Sequence, residues 1–137
     1  MQKKKKQTGF WKGFDFAWQG IVWNIWNERN MRIHLIILLV MTLMGVVFKI
    51  GLYEWLILLV FFALIPALEL VNSAIESTCD ILRDELKLDY KATKWPRDLA
   101  AGAVFWAAIG SILAGLMIFL PRIVYVIFSL LKLWRVF

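Results

Sequence analysis

Five polar residues interrupt a long apolar stretch of this chain: Glu69, Asn72, Ser73, Glu76 and Asp80, at offsets of 0, 3, 4, 7 and 11 from the first. On a helix those offsets fall on one face. With Trp55 at the outer membrane interface and a rise of ~1.5 Å per residue, Glu69 lies about 21 Å in and Glu76 about 31 Å in. A hydrocarbon core ~30 Å thick puts Glu69 inside the cytoplasmic leaflet and Glu76 at its water edge. A carboxylate at that depth costs at least ~2.5–3.5 kcal/mol unless it is paired or neutralised. Asn72 and Ser73 could act as interhelical hydrogen-bonding groups, as amides and hydroxyls commonly do. Two glutamates seven residues apart instead point to a site. Glu69 suits a general base, and Glu76, nearer water, a hard oxygen ligand for a divalent cation. A base reaching the headgroup layer and a cation reaching the cytoplasm fit group transfer from a soluble donor to a membrane lipid.

Other charges are consistent with that chemistry but do not require it. Glu28 falls at the same membrane level as Glu76, so the two could share a cation. Arg97-Asp98 directly precedes the last long apolar run, where Arg could meet phosphate and Asp a metal or ribose. Both also read as ordinary helix-end charges in solvent. Lys87, Lys91 and Lys94 are topology determinants and anionic-lipid contacts. His34 and Cys79, each the sole residue of its type, read as packing residues.

The elements that must position these groups follow from composition. The chain has 137 residues, 61% of them hydrophobic and 19% charged, with a net charge of +6 and a mean hydropathy of +0.70. A soluble domain is roughly half apolar and about a quarter charged, so the excess apolar surface must face lipid. The length allows one domain with no separate nucleotide-binding module, and no G-x-x-x-x-G-K-[ST] or G-x-G-x-x-G is present. One cysteine excludes an internal disulfide and a Cys-based metal cluster.

The expected fold is an all-α membrane protein. Over 8–30, Lys12, Asp15, Gln19, Asn24, Asn27 and Glu28 gather on one face against Trp11, Phe14, Trp18, Trp23 and Trp26, which predicts a helix lying in the interface. Transmembrane helices are expected at 33–48, 55–82, the last extending into the cytoplasm, and 99–120. A cytoplasmic loop at 83–98 joins the latter two. The tail 121–137 either lies at the outer interface or extends the third span. Ala103, Ala107, Ser111 and Gly115 form a small-residue face on which another helix can pack. Lys and Arg concentrate before residue 33 (seven) and in 83–98 (five), against four elsewhere, which places the N-terminus and that loop in the cytoplasm.

Glu69-Leu70-Val71-Asn72-Ser73-Ala74-Ile75-Glu76 through Asp80 resembles the signature of the small prokaryotic diacylglycerol kinase family, which includes the undecaprenol kinases. The resemblance extends over nearly the whole chain: Trp18, Gly20, Asn27, Glu28 and Arg32 stand at family positions, and Arg97-Asp98 stands where the family usually has Lys-Asp. Gly9 replaces an Arg found in some members. Such proteins are homotrimers of three-span subunits in the prokaryotic inner membrane, with an amphipathic surface helix and sites shared between subunits.

The resemblance implies ATP-dependent phosphorylation of a membrane lipid alcohol, undecaprenol or diacylglycerol. Glu69 would be the catalytic base with Asn72 beside it, and Glu28 and Glu76 would hold Mg²⁺ on ATP. Asp80, Arg97 and Asp98 would surround the nucleotide, and Trp18 and Arg32 would adjoin the lipid substrate. The stretches 28–34 and 100–104 look closer to the undecaprenol kinase branch. A proton-coupled transporter with Glu69 as proton carrier is the rival; it leaves Glu76, Asp80 and Arg97-Asp98 without a role. A non-catalytic scaffold leaves both glutamates unexplained.

Overall fold

The computed structural model describes residues 9–134 as four helices with no strand among them. The helices are α1 (Phe10–Asn27), α2 (Arg29–Val47), α3 (Leu52–Leu86) and α4 (Tyr90–Trp134). α2, α3 and α4 are each long and apolar enough to cross a membrane. Lys3, Lys4, Lys5, Lys6 and Arg135, used in the charge count, lie outside the described residues.

Each break between helices has a local cause. Glu28, in an extended conformation, separates α1 from α2, and the Arg32 guanidinium spans the corner by donating to the Trp26 carbonyl at 2.6 Å. α2 ends in a paired cap in which the Ile50 N–H donates to the Gly45 carbonyl (3.1 Å) and the Lys49 N–H to the Val46 carbonyl (3.2 Å). This motif turns the chain through the left-handed region, here at Lys49 with φ 50°, where glycine is the usual occupant. Gly45 allows the turn to close, because a Cβ there would lie 2.7 Å from the Trp55 ring. α3 stops at Lys87, again left-handed (φ 55°).

α3 and α4 form the main helix pair, with α2 against them and α1 along the polar end. At the opposite end Ile50, Leu58, Ile118 and Phe119 form a buried apolar cluster. A bidentate ion pair closes that end: Arg122 Nη1 and Nη2 meet Glu54 Oε1 and Oε2 at 2.9 and 2.7 Å. Glu54 Oε2 also accepts the Gly51 N–H at 2.8 Å, capping α3. Large apolar side chains such as Leu39, Leu59, Phe105 and Leu113 are exposed around the perimeter, as a lipid-facing surface requires.

One stretch differs from the expected layout, and a second follows one of the two alternatives stated for it. Of 83–98, expected as a loop, only residues 87–89 are non-helical. Lys87 and Asp89 lie in that break while the other charged residues sit on helix termini, and the Ala92 N–H donates to the Asp89 carbonyl at 2.9 Å to start α4. Beyond residue 120, α4 runs through Pro121 to Trp134. Proline removes one backbone hydrogen bond from the ladder, and the following run of helix-compatible apolar residues carries the helix on. The small face is only partly packed: Gly115 is buried and Ala103 is exposed.

Gly45→Ala should overpack the α2–α3 turn at a cost of about 1–3 kcal/mol. Thermal unfolding of the detergent-solubilised protein should fall by several degrees, with partial recovery in Gly45→Ala combined with Trp55→Phe. An unchanged midpoint would show that the turn does not depend on this close approach.

Candidate active site

The polar end of the bundle inverts the usual rule for a core. Asn24, Glu69, Asn72, Ser73 and Thr93 are buried there, along with the apolar Met31 and Ala100. Glu69 is only 2% exposed. Three elements put it there. The α3 register turns the Glu69, Asn72, Ser73 and Glu76 face toward the neighbouring helices, the α1–α2 corner brings Glu28 and Asn30 over it, and α4 closes the far side.

The Glu69 carboxyl lies in electrostatic range of the Glu76 and Glu28 carboxylates and faces the Asn30 side chain. Asn72 donates its amide N–H to Glu76 Oε1 at 3.1 Å, which orients Glu76 but leaves Asn72 Oδ1 buried without a partner. Ser73 Oγ and Asn24 Oδ1 are unpartnered in the same way. Buried polar atoms are nearly always satisfied, and here three unsatisfied ones accompany a carboxylate cluster.

No cation answers that cluster. Among the described residues the ion pairs are Arg83–Asp80 (3.2 Å), Arg97–Asp80 (2.8 Å) and Arg122–Glu54, so Glu28, Glu69 and Glu76 have none. Hard oxygen donors facing one another without a cation suit a divalent ion. No group of three or more potential ligands converges among the described residues, but Mg²⁺ needs few: it is commonly held by one or two carboxylates together with substrate phosphates and water.

Asp80 and Arg97, 17 residues apart in sequence, meet one turn beyond Glu76. That pair puts a guanidinium at the edge of the acidic cluster, on the side away from the apolar core. Asp98 is exposed on α4 beside it. Trp18 is 61% exposed on α1 and Arg32 is engaged with backbone carbonyls at the corner. Among the described residues, neither Trp18 nor Arg32 hydrogen-bonds to Glu28, Glu69 or Glu76.

The sequence reading did not single out Asn24, Asn30 or Thr93. The sequence groups Asn24 with the polar face of an interfacial helix, yet it is 2% exposed. Its position four residues before Glu28, on the same helical face, is the signal that links it to the site. Thr93 is buried and turned onto its own helix, where its hydroxyl meets the Tyr90 carbonyl at 3.3 Å. Nothing in its sequence context distinguished it.

The chain belongs to the prokaryotic diacylglycerol kinase family, whose model matches residues 15–119. It is a lipid kinase, an integral membrane enzyme acting on a lipid with ATP as co-substrate. Its relatives include the undecaprenol kinase of Bacillus subtilis (strain 168), 34% identical over 114 residues, which span 83% of this chain and 90% of that one. The diacylglycerol kinase of Synechocystis sp. is 30% identical over 108 residues, 79% of this chain and 61% of that one. No solved structure matches the chain.

A buried carboxylate facing two others and paired to no cation destabilises the bundle, as active-site groups commonly do. Glu69→Gln should therefore raise the thermal unfolding midpoint in detergent without added nucleotide or metal. A lowered midpoint would show that the carboxylate makes compensating bonds that hold the fold.

Proposed function

We propose that this protein transfers the γ-phosphoryl group of ATP to the hydroxyl of a membrane lipid alcohol, undecaprenol or diacylglycerol, with Glu69 as general base. The observation that carries this reading is the Glu69 carboxyl, buried at 2% exposure beside unpartnered acceptors in a chain of a lipid kinase family. In the reaction Glu69 takes the lipid hydroxyl proton as the oxygen attacks the γ-phosphorus. The bond from that phosphorus to the bridging oxygen breaks, and ADP and a lipid monophosphate result. Asn72 stands beside Glu69 and, by donating its amide N–H to Glu76 Oε1, holds the Glu76 carboxylate toward the site. As in other phosphoryl transfers, most of the acceleration comes from positioning and charge neutralisation.

Glu28 and Glu76 are the residues that would hold Mg²⁺, whose chemistry when bound is to neutralise charge on the phosphates. Arg97, released from Asp80 or shared with it, would take a phosphate oxygen; Arg in place of Lys offers a fork of donors to that oxygen. Asp80 and Asp98 would border the nucleotide, while Trp18 and Arg32, on the α1 side, would border the lipid headgroup. In this reading α1 is an amphipathic surface helix, the N-terminus and the α3–α4 turn face the cytoplasm of a prokaryotic cell, and the protein works in the inner membrane as a homotrimer with sites shared between subunits.

Purified protein with labelled ATP and lipid alcohol should yield labelled lipid monophosphate. Glu69→Gln should reduce turnover by about 10²–10⁴-fold, the usual range for loss of a general base, while nucleotide binding and oligomeric state are retained. Full turnover in Glu69→Gln would refute the base assignment. Arg97→Ala should raise KM for ATP with little effect on KM for the lipid; the reverse pattern would move Arg97 to the lipid side.

A further inference from the structure

The ion pair that closes the apolar end of the bundle borders an open cleft that the phosphotransfer chemistry does not use. Its walls include Val47, Phe48 and Lys49, where α2 ends, and Arg122, Tyr125 and Val126 of α4. The family model stops at residue 119, so the α4 wall lies outside the stretch shared with the family. Depth follows from length. At ~1.5 Å per residue, Leu99 to Leu120 covers about 33 Å, enough for a hydrocarbon core of ~30 Å. Arg122 and Tyr125 therefore stand in the headgroup layer at the end away from Glu69. Lys49, on the facing wall of the cleft, stands there with them.

We propose that this cleft binds the headgroup phosphate of an anionic phospholipid. Lys49 and Tyr125 are the donors, and the acyl chains leave along Val47, Phe48 and Val126. This lipid is not the phosphoryl acceptor: it sits at the opposite end of the bundle from Glu69, and the proposal does not depend on the reaction there.

Three observations carry it. The first is charge. The segments at this end, 45–60 and 115–134, contain one acidic residue, Glu54, and Arg122 engages both of its carboxylate oxygens. Lys49 is exposed and has no acidic partner among the described residues, which leaves the cleft positive. The second is backbone conformation. Lys49 occupies the left-handed region at φ 50°, where glycine is the less costly residue. The turn is better served by glycine, so what a lysine adds there is its ammonium group. The third is the helix beyond the cleft. Arg122, Tyr125, Ser129 and Lys132, at offsets of 0, 3, 7 and 10, share one face of α4, while Val124, Ile127, Phe128, Leu131 and Trp134 are exposed around the rest. An apolar helix with one narrow basic stripe fits the boundary between headgroups and acyl chains. Pro121 removes one backbone hydrogen bond where the helix leaves the core, which allows the bend that such a position needs. A free phosphate would gain nothing from the apolar walls.

The test uses the purified full-length protein in detergent micelles, mixed with phosphatidylglycerol or phosphatidylcholine that carries a photoactivatable group on one acyl chain. Adducts are mapped by peptide mass spectrometry. Phosphatidylglycerol should label 47–49 and 121–126, and phosphatidylcholine should label them several-fold less. Lys49→Gly suits the turn, so the unfolding midpoint without lipid should hold or rise. Labelling of the cleft should nevertheless fall about fivefold, the effect of one basic residue near an anionic surface. Lys49→Arg should restore the labelling, and Lys91→Gln, near the α3–α4 turn, should leave it unchanged. Equal labelling by the two lipids, full labelling in Lys49→Gly, or adducts confined to other parts of the chain would each overturn the site. Displacement of phosphatidylglycerol by an equal concentration of inorganic phosphate would overturn the choice of a lipid as its occupant.

Discussion

The structure is organised around an electrostatic debt at one end of the bundle. Glu69 is buried within an apolar helical bundle, within range of two further carboxylates, and no Lys or Arg among the described residues is paired with any of the three. Apolar packing near the cluster cannot offset that cost, because it does nothing for charge. What can offset it is a cation and a hydrogen-bonding substrate, both arriving from outside the fold. The polar end thus presents a buried carboxylate and unpartnered buried polar atoms that an incoming cation and a hydrogen-bonding substrate would satisfy.

The opposite end supplies the stability that this arrangement draws on. There the Glu54–Arg122 fork ties the start of α3 to α4, the Gly45–Trp55 approach locks α2 against α3, and Leu58, Ile118 and Phe119 pack between them. With α2, α3 and α4 held together at that end, small residues on α4 leave a half-open apolar cavity between the helices. One set of helix registers therefore fixes the carboxylates, the space below them and the contacts that hold both in place.

Much of this was legible in the sequence for a physical reason: helical periodicity makes a polar stripe in an apolar span visible at once, and Glu69, Asn72 and Ser73 are all buried as that stripe requires. The spans were legible from their length and lack of charge. What sequence periodicity could not supply was the inward orientation of Asn24, since α1 carries aromatic residues on nearly every side and its apolar face is ambiguous. Pairings distant in sequence were equally hidden. Neither Asp80 with Arg97 nor Glu54 with Arg122 has a local signal, and the charges of 83–98 suggested a solvated loop where most of them in fact occupy helix ends. The structure also shows the continuation of α4 past Pro121, which the sequence left open between two alternatives.

The central claim is that the lipid hydroxyl and the γ-phosphate meet at Glu69. The most direct measurement is a structure of the protein with a non-hydrolysable ATP analogue, Mg²⁺ and an intact lipid alcohol. The account predicts the lipid oxygen within hydrogen-bond reach of the Glu69 carboxyl, about 2.6–3.2 Å, with the γ-phosphate on its far side. A lipid hydroxyl resting on another carboxylate, with Glu69 bonded only to protein, would contradict it.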